Sequence, residues 1–170
     1  MNSSYCKFYS ISCLLLLFIN QLSAEGLNLP TITSCTFNVP QEQQAFMLDR
    51  CLVAAKAGDK EAQYQLGLYY SDGKLVTANY PEALYWFKQA SAQAQVDAQV
   101  RLGYMYLQGQ GVPVNNLQAY IIFKIAGING SDEAMDEADV AADLMSPQEL
   151  QQANYILGKT FRRYLKNIKE

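Results

Sequence analysis

Residues 62–73 read AQYQLGLYYSDG and residues 98–109 read AQVRLGYMYLQG. Ala62/Ala98, Gln63/Gln99, Leu66/Leu102, Gly67/Gly103, Tyr70/Tyr106 and Gly73/Gly109 match at a constant offset of 36 residues. The same offset then pairs Ala83/Ala119, Phe87/Phe123, Lys88/Lys124 and Ala90/Ala126. A fixed period in the thirties points to a stacked array of helical hairpins. Such arrays bury one continuous core between repeats and generally act by binding.

Working outward from these strings, each has apolar residues at helical spacing: Ala62, Leu66, Tyr69/Tyr70 and Ala98, Leu102, Met105/Tyr106. Residues 60–71 and 97–108 are therefore predicted helices. Gly67 and Gly103 fall in mid-helix, where glycine costs about 1 kcal/mol against alanine. Its recurrence at one phase predicts a close approach that a side chain would block. Gly73 and Gly109 end these helices. Asn79 and Asn115 then stand three residues before Glu82 and Gln118, a capping pattern that starts second helices over 80–90 and 116–126. Pro81 suits the first turn of such a helix.

Upstream, residues 41–57 form a predicted helix closed by Gly58, equivalent by phase to the second helix of an incomplete leading repeat. Residues 25–40, with Pro30 and Pro40, read as irregular. Downstream, Ala134 keeps the phase, the Leu-Gly pair is lost, and residues 131–144 still read as helix. Ser146-Pro147-Gln148-Glu149 is a strong helix start. Leu150, Ala153, Leu157, Phe161, Tyr164 and Ile168 make one apolar stripe along a capping helix to about Lys169. The expected fold is all-α: a solenoid of antiparallel helix pairs, six to seven helices in all, with a long C-terminal cap. The expected organisation is a signal peptide over 1–24, an irregular segment over 25–40 and a repeat domain over 41–170. Its repeats fall at about 59–94 and 95–130, with a degenerate repeat and cap over 131–170.

The N-terminus carries Lys7, an apolar run ISCLLLLFI over 11–19 and small residues before Glu25. That pattern fits an export signal cleaved after Ala24; a retained anchor is the alternative. Cys6 and Cys13 would leave with it. Cys35 and Cys51 remain and are expected to form a disulfide, placing the chain in the periplasm or outside the cell. No second long apolar run exists, so the mature chain is expected to be soluble.

The chain has no histidine, which removes imidazole-based catalysis, histidine metal sites and imidazole pH switching. No cofactor or metal is expected. Residues 25–158 carry fifteen acids and seven bases, and residues 159–170 five bases and one acid. An acidic body argues against nucleic acid as partner. Asp132, Asp136, Asp139 and Asp143 share one helix face, expected to be solvated. The basic end (Lys159, Arg162, Arg163, Lys166, Lys169) is expected to complement that stripe and the C-terminal helix dipole.

The repeat resembles the Sel-one-like repeat, a tetratricopeptide-like helix-turn-helix unit. Ala62, Leu66, Gly67, Tyr70, Gly73, Val76, Asn79, Ala83, Trp86 and Ala90 match its pattern. So do Ala98, Leu102, Gly103, Tyr106, Gly109, Gly111, Val112, Asn115, Ala119 and Ala126. Leu75 and Ile122 depart from it, at a turn glycine and an aromatic position. The resemblance implies a non-catalytic adaptor or scaffold for a protein or peptide partner, exported to the bacterial envelope or to a host. The alternative is an enzyme or binder acting on cell-wall or β-lactam material. In such arrays the first helices line the inner curve. Glu61, Tyr64, Leu68, Ser71 and Asp72 would then face it in one repeat, and Asp97, Val100, Tyr104, Leu107 and Gln108 in the next. The competing reading of these tyrosines is packing between repeats.

Overall fold

The computed structural model describes residues 35–73 and 76–167. The signal-peptide reading of residues 1–24, residues 25–34 of the segment read as irregular, and the departure at Leu75 lie outside them. The described residues contain helices and no strand: α1 Gln41–Lys56, α2 Lys60–Asp72, α3 Tyr80–Ala92, α4 Val96–Gln108, α5 Asn116–Ile128, α6 Asp132–Asp143 and α7 Pro147–Asn167. Each of α1 to α5 packs against the helix that follows it, and α7 docks on α5. The chain is an all-α helical-repeat solenoid.

Local chemistry sets the helix ends. The Asp59 carboxylate accepts from the backbone N–H groups of Glu61 and Ala62 (both 2.9 Å). Asn79 and Asn115 accept from the N–H of Glu82 and Gln118 at 3.2 and 2.8 Å, and Ser131 from that of Ala134 at 3.2 Å. Each satisfies a backbone donor that the first turn leaves without an intrahelical partner. At α7 the exchange is reciprocal. Glu149 Oε2 accepts from the N–H of Ser146 at 2.8 Å, and the N–H of Glu149 donates to Ser146 Oγ at 3.3 Å. The Ser146 N–H and the Ser146 hydroxyl, which also donates to Oε2 at 2.8 Å, hold the exposed Glu149 carboxyl below its ordinary pKa. Gly73 and Gly109 close α2 and α4 in the left-handed region (φ 64° and 74°), where a Cβ is disfavoured.

The core comes in three linked clusters that follow the period. Cys51, Ala55, Ala62, Leu66 and Trp86 form the first. Ala83, Phe87, Ala90, Ala98, Leu102, Met105 and Ile122 form the second. The third gathers Phe123, Ala126, Ala134, Ala138, Ala141, Ala153 and Leu157 around α5. Trp86 and Ile122 thus do the same work one repeat apart. Small alanines replace leucine and methionine in the third copy, which lets α6 sit close to α5.

Gly67 and Gly103 have the predicted close approach, and side chains cause it. A Cβ on Gly67 would run into the ring of Phe87, and one on Gly103 would lie 2.5 Å from the ring of Phe123. Both rings are fully buried and have nowhere to move, so the helix cost of each glycine is offset by the ring it admits.

A second period-36 device joins the repeats. Gln63 Nε2 donates to the Ala55 carbonyl (2.9 Å) while Gln63 Oε1 accepts from Gln93 (2.8 Å). One repeat on, Gln99 Nε2 donates to the Ser91 carbonyl (3.2 Å) and Gln99 Oε1 accepts from Asn129 (2.9 Å). Both glutamines are buried. Each satisfies a carbonyl at the end of the preceding helix pair, so a polar ladder fixes the stacking register inside an otherwise apolar seam.

Cys35 and Cys51 are bonded, with Cα atoms 5.1 Å apart. The bond fastens the extended segment before Pro40 to α1. Phe37 from that segment lies against Tyr69 of α2, ring centroids 4.4 Å apart.

Of the basic end expected to meet the acidic stripe, the side chains of Arg163 and Lys169 lie outside the described residues. The cap helix docks on α5, where the Tyr120 hydroxyl donates to Asn154 Oδ1 at 3.0 Å. Asp139 is taken by Lys124 of α5 at 3.3 Å. The four stripe aspartates are exposed, and so are Lys159, Arg162 and Lys166. Packing of the apolar stripe onto α5 decides where α7 goes, and exposed charges follow it.

Candidate functional site

The helices α2 and α4 lie side by side as the first helices of successive repeats, and the clefts of this face open between them. One, of about 350 Å³, is lined by Ser71, Asp72, Tyr80, Phe87, Arg101, Tyr104, Met105, Gln108 and Gln110. A second, of about 330 Å³, brings together Tyr64, Asp97, Val100, Arg101, Tyr104 and Glu133. They share Arg101 and Tyr104, so these two residues form the divide between them.

A third cleft, also about 330 Å³, is lined by Thr36, Phe37, Asn38, Gln65, Leu68, Tyr69 and Asp72. Its helical lining, Gln65, Leu68, Tyr69 and Asp72, is the first cleft's Arg101, Tyr104, Met105 and Gln108 moved back by one period. The opposite wall differs. In the first cleft it is Ser71 and Asp72 of α2, with Tyr80 and Phe87 of α3; here it is the disulfide-held segment at Thr36, Phe37 and Asn38. That segment therefore stands where the first helix of a preceding repeat would stand.

The two groove tyrosines are held from below and from the side. The Tyr64 ring packs on Phe87 (6.0 Å) and the Tyr104 ring stands edge-on to Phe123 (5.3 Å). The Tyr104 hydroxyl donates to Glu133 Oε1 at 2.9 Å, and the Arg101 guanidinium acts on the Tyr64 oxygen as the nearby positive charge. Burial pushes the Tyr64 phenol above its ordinary pKa, the Asp97 carboxylate adds to the effect, and Arg101 opposes it. Tyr104 is pushed well above the usual phenol range, first by burial and then by the Glu133 carboxylate that accepts its hydroxyl and the neighbouring Glu137. Both rings are thus neutral, oriented and partly exposed.

Of the residues expected on this face, Tyr64, Ser71, Asp72, Asp97, Tyr104 and Gln108 line the two clefts between α2 and α4. Leu68 lines the cleft beside the disulfide-held segment. Val100 lines a cleft but is only 7% exposed and belongs to the core, because the position equivalent to Tyr64 is filled there by a smaller apolar side chain. Leu107 packs against the same core. Glu61 accepts from Gln65 and Gln95 at 3.1 and 3.3 Å, tying the start of α2 to the start of α4.

Sequence reasoning missed Arg101, Glu133, Phe37 and Met105. Arg101 follows Val100 by one position, and its equivalent, Gln65, faces the leading half-repeat. Two faces of each first helix contribute, one toward each neighbour. The phase reference could have shown this, had it been extended to the positions of Gln65 and Arg101.

Comparison with known proteins agrees with this geometry. The family model "Sel1 repeat" matches residues 60–94 and 96–131. Among solved structures, a protective antigen of uropathogenic Escherichia coli strains with an SLR fold is 27% identical at a TM-score of 0.68, over 75% of this chain and 27% of its own. A Sel1 repeat protein of Oxalobacter formigenes is 38% identical at a TM-score of 0.55, over 56% of this chain and 28% of its own. The cysteine rich protein B of Helicobacter pylori is 26% identical at a TM-score of 0.51, over 58% of this chain and 71% of its own. The chain therefore spans little more than a quarter of the first two. No curated protein matches it significantly. Two family-matched repeats with the glycine–phenylalanine contact in each, and neighbours built the same way, identify residues 60–131 as an array of Sel1-like repeats, a fold that generally serves as a scaffold for protein–protein interaction.

Proposed function

We propose that the chain is an exported scaffold that holds a protein segment on the face formed by α2, α4 and α6, in the bacterial envelope or against a host. One observation carries the reading. Tyr64 and Tyr104 line adjoining clefts between successive first helices, each ring backed by a buried phenylalanine and its oxygen engaged by a charged side chain. Oriented, low-entropy aromatic rings beside polar groups are what recognition of a protein segment uses. Export is supported by the disulfide and by the signal-like N-terminus. Among the described residues no helix is long and apolar enough to cross a membrane.

The test is capture from an envelope fraction by the wild-type chain and by Tyr64→Ala/Tyr104→Ala. The variant is expected to keep its helical circular dichroism and lose the captured partner. A folded variant that captures the same partner to the same extent would remove this face as the site.

A further inference from the structure

The adjoining clefts differ in chemistry along the face. At one end Phe37, Leu68 and Tyr69 make a mostly apolar recess. At the other, Asp97 and Glu133 flank Tyr64 and Tyr104. Charge is sorted between the two kinds of helix as well. The first helices α2, α4 and α6 hold nine carboxylates against two bases, Lys60 and Arg101. The second helices α3 and α5 hold one carboxylate against two bases, and one of those, Lys124, meets Asp139. The negative excess on the first-helix side is therefore not offset by the helices packed behind it. At the tyrosines this excess is felt locally: Glu61 and Asp97 act on Tyr64, Glu133 and Glu137 on Tyr104, with Arg101 the opposing base at Tyr64.

From this sorting we infer that the segment taken by the face is basic and extended, with a lysine or arginine seated between Asp97 and Glu133 and an apolar side chain in the recess of Phe37, Leu68 and Tyr69. The inference rests on the reading of this face as the binding surface and adds the chemistry of what it binds. A cation between the two carboxylates gains charge-assisted hydrogen bonds. The neighbouring faces of Tyr64 and Tyr104 add a favourable quadrupole for the same charge. The partner is a protein segment, because the excess of carboxylates repels the phosphates of nucleic acid and of anionic lipid.

The experiment measures fluorescence anisotropy of the purified full chain with three labelled peptide pools of equal length. Each carries one tryptophan; the variable positions are Lys/Arg in the first, Ser/Gln in the second and Asp/Glu in the third. The Lys/Arg pool is expected to bind, and to weaken as salt rises from about 0.05 to about 0.5 M. Asp97→Asn/Glu133→Gln is expected to weaken it on the order of tenfold, and Arg101→Gln to strengthen it by a few fold, about what removing one nearby like charge gives. Asp136→Asn/Asp143→Asn, whose carboxylates line none of the three clefts, should leave affinity unchanged. Equal weakening by that control would mean diffuse attraction to an acidic protein and would overturn the located site. Tighter binding of either other pool, binding of none, or no response to Asp97→Asn/Glu133→Gln overturns the basic ligand. If a neutral or acidic pool binds and Tyr64→Ala/Tyr104→Ala abolishes that binding, the face stands and only its proposed ligand falls. If binding survives the tyrosine variant, the face itself is wrong.

Discussion

At the scale of single residues, the glycines of the repeat are the most instructive. In an exposed helix, replacing glycine by alanine stabilises by about 1 kcal/mol. At Gly103 the sign should reverse, because the added carbon would lie 2.5 Å from the buried ring of Phe123. Gly103→Leu should destabilise by about 1–3 kcal/mol or more, the range for overpacking a core. A thermal melt unchanged from wild type would contradict this packing. The repetition of glycine at one phase made the close approach legible in the sequence. What blocked the space was not legible, because Phe87 and Phe123 meet their glycines across a turn of variable composition. Arg101 was missed for a different reason: it stands on the second cleft-lining face of the helix, the face that Gln65 presents one period earlier, and the phase was followed along one face alone. The groove phenols give a pH prediction. Burial raises the Tyr64 and Tyr104 pKa values above the unfolded value of 10.0. Above that pH the unfolded chain loses phenolic protons first. The stability these groups contribute is therefore fully present below pH 10 and declines as pH rises beyond it. Spectrophotometric titration should show these phenols ionising late and together with alkaline unfolding. Tyr104→Phe should remove part of that late phase.

At the scale of elements, capping and closure account for where each helix begins and ends. Asp59, Asn79, Asn115, Ser131 and Ser146 all cap as their side-chain chemistry requires, and these were readable because a cap is a local arrangement of few residues. The Gln63 and Gln99 ladder was visible only as a matched pair. Its role needed the third dimension, since each amide spans from one helix pair to the next. Gln99→Ala would remove two part-buried hydrogen bonds, one to the Ser91 carbonyl, which keeps the Ala94 N–H, and one from the Asn129 side chain. A loss of about 0.5–1.5 kcal/mol per bond is expected, seen as a lower denaturant midpoint. The disulfide-held segment is the other long-range element. Its pairing was expected from cysteine number, yet its position as a substitute for a missing first helix was not, because an extended segment leaves no helical period to read. Closing a loop of sequence separation 16 stabilises by about 3 kcal/mol in the chain-entropy model. Cys35→Ser/Cys51→Ser should lose about that much in denaturant unfolding. Thiol labelling of the wild-type chain should appear only after reduction; free thiols beforehand would argue against both the bond and export.

At the scale of the whole described array, the period assigns function to faces. Second helices carry the alanines, phenylalanines and cap residues that hold neighbouring pairs together. First helices carry Tyr64, Tyr104 and most of the carboxylates, and the clefts open between them. The third copy, where Ala138 and Ala141 replace larger residues, ends in a helix whose direction is set by apolar packing on α5. The array architecture was legible because it repeats. The chemistry of the face was legible only in part, since it depends on which residues of adjacent first helices come to share a cleft. The central claim is that a protein partner sits on this face. Site-specific photocross-linking tests it most directly, with a photoreactive side chain placed at the exposed Gln108 of the cleft and, in a second protein, at the exposed Val53 on α1. Cross-linking of partner from position 108 and not from position 53 is the predicted result. Partner captured from position 53 and not from position 108 would contradict it.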